Sequence, residues 1–193
     1  PLYSSAASDV YKRQTSGFQL GCRDNTGGLK AIYILSGSIT NITGSQGLIT
    51  GITGSGTFYQ FQLFRQTSNY SEELVATPEN GTIVYNQTAT CVFFKMQTSV
   101  RNQVRVLAQN PSLEIIIETQ NGSEDGAARW FLMGQVNGAQ LLSGTSQTGT
   151  AFSDLNGYNL IFSGNEPNPA SEVSGSSSSF TGSLSGITIT TYA

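Results

Sequence analysis

The chain has 193 residues, enough for one domain with a sizeable core, yet only 11% are charged and the net charge is −3. Ser, Thr, Asn, Gln and 22 glycines stand in for the missing charge, which argues against disorder driven by charge repulsion and leaves no basic field for tight nucleic-acid binding. No apolar run approaches the roughly 18 residues of a membrane span, and two cysteines, Cys22 and Cys91, cannot make a disulfide framework and are expected as free thiols.

Residues 1–14, PLYSSAASDVYKRQ, begin without Met and match neither a signal peptide nor the composition that follows. The string resembles the translation of a sequencing adaptor, so it is read as a non-native tail and the native N-terminus is expected to be missing. Between residues 17 and 52, apolar runs such as 29–35 and 47–52 are separated by glycine and read as short strands. Residues 57–66 form the clearest strand: Tyr59, Phe61 and Leu63 alternate with Gln60 and Gln62, while Phe58 and Phe64 decorate the polar side. A second long strand over 82–96 puts Tyr85, Cys91 and Phe93 on one side and Val84, Val92, Phe94 and Met96 on the other, so its end is expected to be buried on both faces. Residues 67–81, between the two, read as a long loop closing on Asn80-Gly81. There Tyr70, Leu74 and Val75 offer apolar contacts beside Glu72, Glu73 and Glu79.

One helix is predicted over 99–109, where Val100, Val104, Leu107 and Ala108 form an apolar stripe and Arg101, Asn102 and Arg105 take the other face. Thr98 or Ser99 can cap it and Asn110-Pro111 stops it. So short a helix does not persist alone, so its stripe must pack on a sheet. Strands are then predicted at 113–119, 129–136, 140–142 and 158–164, separated by Asn-Gly turns at 121–122, 137–138 and 156–157, which makes an antiparallel sheet. The run Ile115-Ile116-Ile117 has the continuous β-branched character of a central strand. Residues 15–170 thus read as one β-sandwich domain, and 171–193 as a Ser/Gly linker followed by a terminal strand in need of an edge.

Chemistry is sparse. The absence of histidine removes Ser-His-Asp and Cys-His nucleophile systems and the commonest zinc sites. The carboxylate pairs Glu72–Glu73 and Glu124–Asp125 sit in polar segments where solvation is the default, and no calcium-loop or phosphate-loop spacing is present. No catalytic, cofactor or metal site is expected. Aromatics such as Phe58, Phe61, Phe93 and Trp130 alternate within strands and read as core or subunit-interface packing. The chain therefore reads as a non-enzymatic, mainly β (α+β) protein: an antiparallel β-sandwich or partial barrel flanked by one α-helix, working by assembly with copies of itself.

The blocks Cys22-Arg-Asp-Asn-Thr-Gly-Gly-Leu-Lys-Ala-Ile-Tyr33, Phe58-Tyr-Gln-Phe-Gln-Leu63, Glu79-Asn-Gly-Thr82 and Asp154-Leu-Asn-Gly-Tyr158 resemble structural proteins of tailed bacteriophages that infect gut Bacteroidetes. By fold analogy, the order of elements is similar to that of phage tail-tube proteins. The resemblance implies a virion protein, assembled in the host cytoplasm and residing in the tail, whose copies form hexameric rings that stack into a DNA channel and meet other tail proteins. In that reading residues 57–66 and 82–96 frame the lumen, DNA passes without specific binding, and no membrane or cofactor is involved. The loop bearing Tyr70, Glu72, Glu73, Leu74, Val75 and Glu79 would reach the neighbouring ring. The rival expectation is a receptor- or carbohydrate-binding module of a fibre or baseplate.

Overall fold

A computed structural model describes residues 26–45, 47–121, 130–175 and 180–191. The string 1–14, Cys22 and the Glu124–Asp125 pair lie outside these described residues. The protein is mainly β, with antiparallel sheets, a partial barrel and, among the described residues, one α-helix. No helix of the described residues is long and apolar enough to cross a membrane.

The chain opens with β1 (Leu29–Ser45) and β2 (Leu48–Gln62), paired antiparallel along nearly their whole length. These are long strands, not the short ones that glycine spacing suggested. Gly37 and Gly56 face one another in register with φ of +154° and +122°, and a Cβ on either would strike the partner backbone. Glycine here lets a long hairpin continue through a close crossing instead of ending it. Three further strands, β5 (Ile115–Thr119), β6 (Trp130–Met133) and β9 (Ser171–Val173), complete the order β1-β5-β6-β9-β2, and the β1–β2 pairing closes it into a five-stranded barrel. The terminal strand β10 (Leu184–Thr190) lies parallel to β2, further along the same edge that β9 occupies.

A second sheet has the order β3-β4-β8-β7, from β3 (Asn69–Thr77), β4 (Thr82–Phe94), β7 (Gln140–Gln147) and β8 (Gly157–Glu166), with every pairing antiparallel. Two cores result, and β1 and β5 serve both. Ile32, Ile34, Ile115 and Ile117 pack with Ala89, Cys91, Leu160 and Phe162 of the second sheet as a sandwich core. The alternate residues Ala31, Tyr33, Leu35 and Ile116 fill the barrel with Ile52, Phe58, Trp130 and Phe180. The segment after residue 170 contributes Val173, Phe180 and Ile187 to this second core.

Several local expectations change. Residues 67–81 are not a loop: β3 pairs with β4 in unbroken register from Asn69–Thr90 to Thr77–Thr82, leaving only 67–68 and the turn at 78–81 irregular. Polar, charge-bearing composition hid the strand, because an edge strand needs no continuous apolar face. Of the predicted apolar face at 57–66, Phe61 and Leu63 do pack on the sandwich core, but Tyr59 is 38% exposed and its neighbour Phe58 is buried, at 0% exposure. The barrel interior claims the parity that alternation alone assigned to the polar side. The end of β4 is buried on one face only, with Cys91 inside and Phe94 exposed. Cys91 is a free thiol, and burial pushes its pKa up to about 12, so it is inert at neutral pH.

The helix α1 (Thr98–Gln109) lays Val100, Val104 and Leu107 against the sandwich core. Its N-cap is Gln97 and makes no side-chain capping bond, so neither Thr98 nor Ser99 caps it; Asn110 ends it, donating its N–H to the Leu107 carbonyl. Asn156-Gly157 is not a two-residue turn either. Gly157 already belongs to β8, and the connection from β7 runs through residues 148–156.

One buried carboxylate fixes the β6–β7 turn. Glu166, 2% exposed, accepts the Val136 and Asn137 N–H groups at 3.0 and 2.9 Å, and buried Gln87 accepts the Gly134 N–H at 3.2 Å. Glu166→Ala would strand both N–H groups, at a cost of about 3 kcal/mol. That corresponds to a fall of roughly 8 °C in Tm for a chain of this size. Glu166→Gln, which retains one acceptor, should lose less than half as much; equal Tm values for both variants and the parent in thermal unfolding would refute this role.

Candidate assembly surface

A four-stranded sheet with β3 at one end and β7 at the other has two edges. Among the described residues β3 pairs only with β4, and β7 pairs only with β8 apart from the single bridge between Leu113 and Ala139 at its base. Each edge therefore presents a row of backbone N–H and C=O groups able to accept another strand. Both edges are mainly polar where they face solvent, with a few exposed aliphatic side chains among Ser, Thr, Gln and Glu. Leu74 is 57% and Val75 40% exposed on β3, Ile83 is 57% exposed across the hairpin, and Leu142 is 61% exposed on β7. Neither edge carries proline, a usual device for keeping an edge unpaired.

The six residues predicted to contact a neighbour divide into two groups. Tyr70 and Glu72 are committed within the subunit: the Tyr70 hydroxyl donates to Glu72 Oε2 at 3.0 Å, and the same oxygen accepts the Ala170 N–H at 2.8 Å. Burial, then the Glu72 charge and hydrogen bond, hold the Tyr70 phenol well above its ordinary pKa. Glu73, Leu74 and Val75 are exposed along β3, and Glu79 is exposed in the turn beyond it. These four remain open to another chain.

Charge is segregated across the sheet. Glu73 and Glu79 mark the β3 side, and neither forms an ion pair among the described residues. Arg101 and Arg105 are exposed on α1, which packs near β7, and they are likewise without an ion pair among the described residues. On the outer face of the sheet, Thr88, Thr90 and Val92 of β4 and Asn159, Ile161 and Ser163 of β8 are half-buried and uncharged. They alternate with the inward Ala89, Cys91, Leu160 and Phe162.

Sequence reasoning missed a further feature, the fully exposed Phe152 in the β7–β8 connection. It is presented by a defined turn, because the Asp154 carboxylate accepts the Thr150 and Ala151 N–H groups at 2.8 Å each. Those two donors, Ala151 first, lower the Asp154 pKa. A depressed carboxyl pKa favours the folded turn above the unfolded value, and that contribution is lost as pH falls through the folded value. Amide protection at Thr150 and Ala151, followed by NMR, should therefore hold above about pH 4 and fade on further acidification; protection independent of pH, or lost already near neutrality, would contradict it.

Neither a family model, nor a curated protein, nor a solved structure matches the chain.

Proposed function

We propose that the protein is a self-assembling virion structural protein, a tail-tube-like subunit whose copies join sheet to sheet into rings that stack around a DNA channel. The observation that carries this reading is the pair of edges, unpaired among the described residues, on one all-antiparallel sheet. Three antiparallel steps separate β3 from β7, so the two edge strands run in opposite directions. A copy related by rotation alone then sets its β3 antiparallel to β7 of its neighbour, and the alternation continues unbroken.

Charge selects this head-to-tail seam over a two-fold one. Pairing β3 with β3 of another copy, antiparallel about the strand midpoint, would set Glu73 against its own equivalent, with the two Glu79 residues at opposite ends of the seam, and like charges across a pair of strands destabilise it. Pairing β3 with β7 brings those carboxylates towards the side bearing Arg101 and Arg105. A head-to-tail contact closes into a ring if its rotation permits, and a closed ring has no edges left. The uncharged outer face of β4 and β8 would then offer passing phosphates no counter-charge, so DNA would slide without binding.

Because β3 is a paired strand, deleting it would also disrupt its sheet, and point substitutions give the cleaner test. Negative-stain microscopy and light scattering of the purified chain should show rings or stacks. Glu73→Lys with Glu79→Lys should raise the concentration needed for assembly several-fold, since each exposed pair is worth about 0.5 kcal/mol and the effect is multiplied around a ring. Adding Arg101→Glu and Arg105→Glu to the same chain should restore it. A chain that stays monomeric at high concentration contradicts the assembly reading, whereas assembly indifferent to all four substitutions contradicts the seam alone.

A further inference from the structure

Four Asn-Gly pairs punctuate the chain, at 80–81, 121–122, 137–138 and 156–157. Such a pair carries a latent reaction, because glycine offers its backbone nitrogen to the preceding side-chain amide with no Cβ in the way. The fold restrains most of them. Asn137 donates from Nδ2 to the Asn165 carbonyl at 2.7 Å and from its N–H to Glu166 Oε1 at 2.9 Å. Asn156 accepts the Lys95 N–H on its carbonyl at 2.8 Å and the Met96 N–H on Oδ1 at 3.4 Å. The glycines that follow are packed as well: a Cβ on Gly138 would strike Ser112, and Gly157 is buried in β8 against the Phe93 carbonyl. Asn121 accepts the Thr26 N–H on Oδ1 at 2.9 Å, and Gly122 lies outside the described residues.

Asn80-Gly81 is held by none of these restraints. It sits in the turn between Thr77 and Thr82, the register partners that end the β3–β4 ladder, and all of residues 78–81 are exposed. The Asn80 side chain has no hydrogen-bond partner among the described residues. Gly81 has a φ of +64°, with nothing within 4 Å of the place a Cβ would take. Its N–H, which belongs to the attacking nitrogen, is tied only to the Pro78 carbonyl, at a long 3.3 Å.

We propose that Asn80 is a self-modifying site, where the chain exchanges one amide for one carboxylate without an enzyme. The Gly81 nitrogen attacks Asn80 Cγ, the Cγ–Nδ2 bond breaks, and the amide group leaves as ammonia with the proton from Gly81. A five-membered succinimide remains. Water then opens this ring: breaking the bond from nitrogen to Cγ gives aspartate at position 80, and breaking the bond to the backbone carbonyl carbon gives isoaspartate. One water is consumed, one ammonia is released, and nothing is oxidised or reduced. Both products place a second negative charge beside Glu79, and isoaspartate also lengthens the main chain within a turn whose ends the Thr77–Thr82 pair fixes. The reaction needs no second copy of the chain, so it stands whether or not the protein assembles.

The purified full chain should be held at mildly alkaline pH and physiological temperature, with peptide mapping by mass spectrometry and an isoaspartate-specific methylation assay at intervals. Asn80 should convert on the order of tenfold faster than Asn137 and Asn156, whose hydrogen bonds must open first. In guanidinium chloride, where the fold no longer distinguishes them, the three should convert at similar rates. Asn80→Ser should remove the early release of ammonia and leave the slower sites unchanged. An Asn80 amide that survives in the folded chain but is lost in denaturant, equal rates at Asn80, Asn137 and Asn156 in the folded chain, or early ammonia undiminished by Asn80→Ser would each overturn the proposal.

Discussion

Successive residues of a strand point to opposite sides of its sheet, so a strand can serve two cores only where its sequence is apolar at every position. β1 and β5 meet that demand. Ile32 and Ile34 face the sandwich while Ala31, Tyr33 and Leu35 face the barrel, and Ile115 and Ile117 are separated by Ile116 in the same way. Each large aliphatic side chain buried in this way contributes roughly 1.5–3 kcal/mol, and both cores draw on the same dozen residues of backbone. The rest of the molecule is organised around this shared wall. The barrel closes on one side of it, the four-stranded sheet stacks on the other, and α1 covers the remaining flank of the sandwich with Val100, Val104 and Leu107.

That wall was also the part most legible in the sequence, because a β-branched run such as Ile115-Ile116-Ile117 fits no other environment so well. The helix was legible for a similar reason: its apolar stripe has one period and faces one core. Misreadings cluster where a residue's partner is remote in sequence. Phe58 and Tyr59 are both aromatic neighbours in one strand, and only closure of the barrel decides that Phe58 goes inside. The glycines of β1 and β2 read as breaks until Gly37 and Gly56 are seen to be register partners. β3 read as a loop because an edge strand with Glu72 and Glu73 in its middle shows neither alternation nor an apolar run. Of the six contact residues named from that segment, the fold commits Tyr70 and Glu72 to internal bonds and leaves Glu73, Leu74, Val75 and Glu79 facing solvent. The Lys30–Glu118 pair joins residues 88 apart in the chain, and no local pattern announces it.

Low charge takes on a physical meaning in this architecture. From residue 31 to residue 64 the chain has no Asp, Glu, Lys or Arg, and that stretch builds most of β1 and β2. The described residues carry charge as carboxylates on and beside β3, as guanidinium groups on α1, in the Lys30–Glu118 pair, and at scattered positions such as Arg65, Lys95, Glu114, Asp154, Glu166 and Glu172. Such a surface repels little, and the proposed seam would take its direction from Glu73, Glu79, Arg101 and Arg105.

The central claim is that the backbone groups along the outer edges of β3 and β7 are completed by another copy of the chain. Amide hydrogen exchange measured over a range of protein concentrations addresses it directly, because a strand pairing with a second molecule gains protection only as that molecule binds. The account predicts that outward-facing amides of β3 and β7 become protected together as concentration rises, while those of β4 and β8 stay unchanged. Exchange at both edges that is the same at every concentration would contradict it.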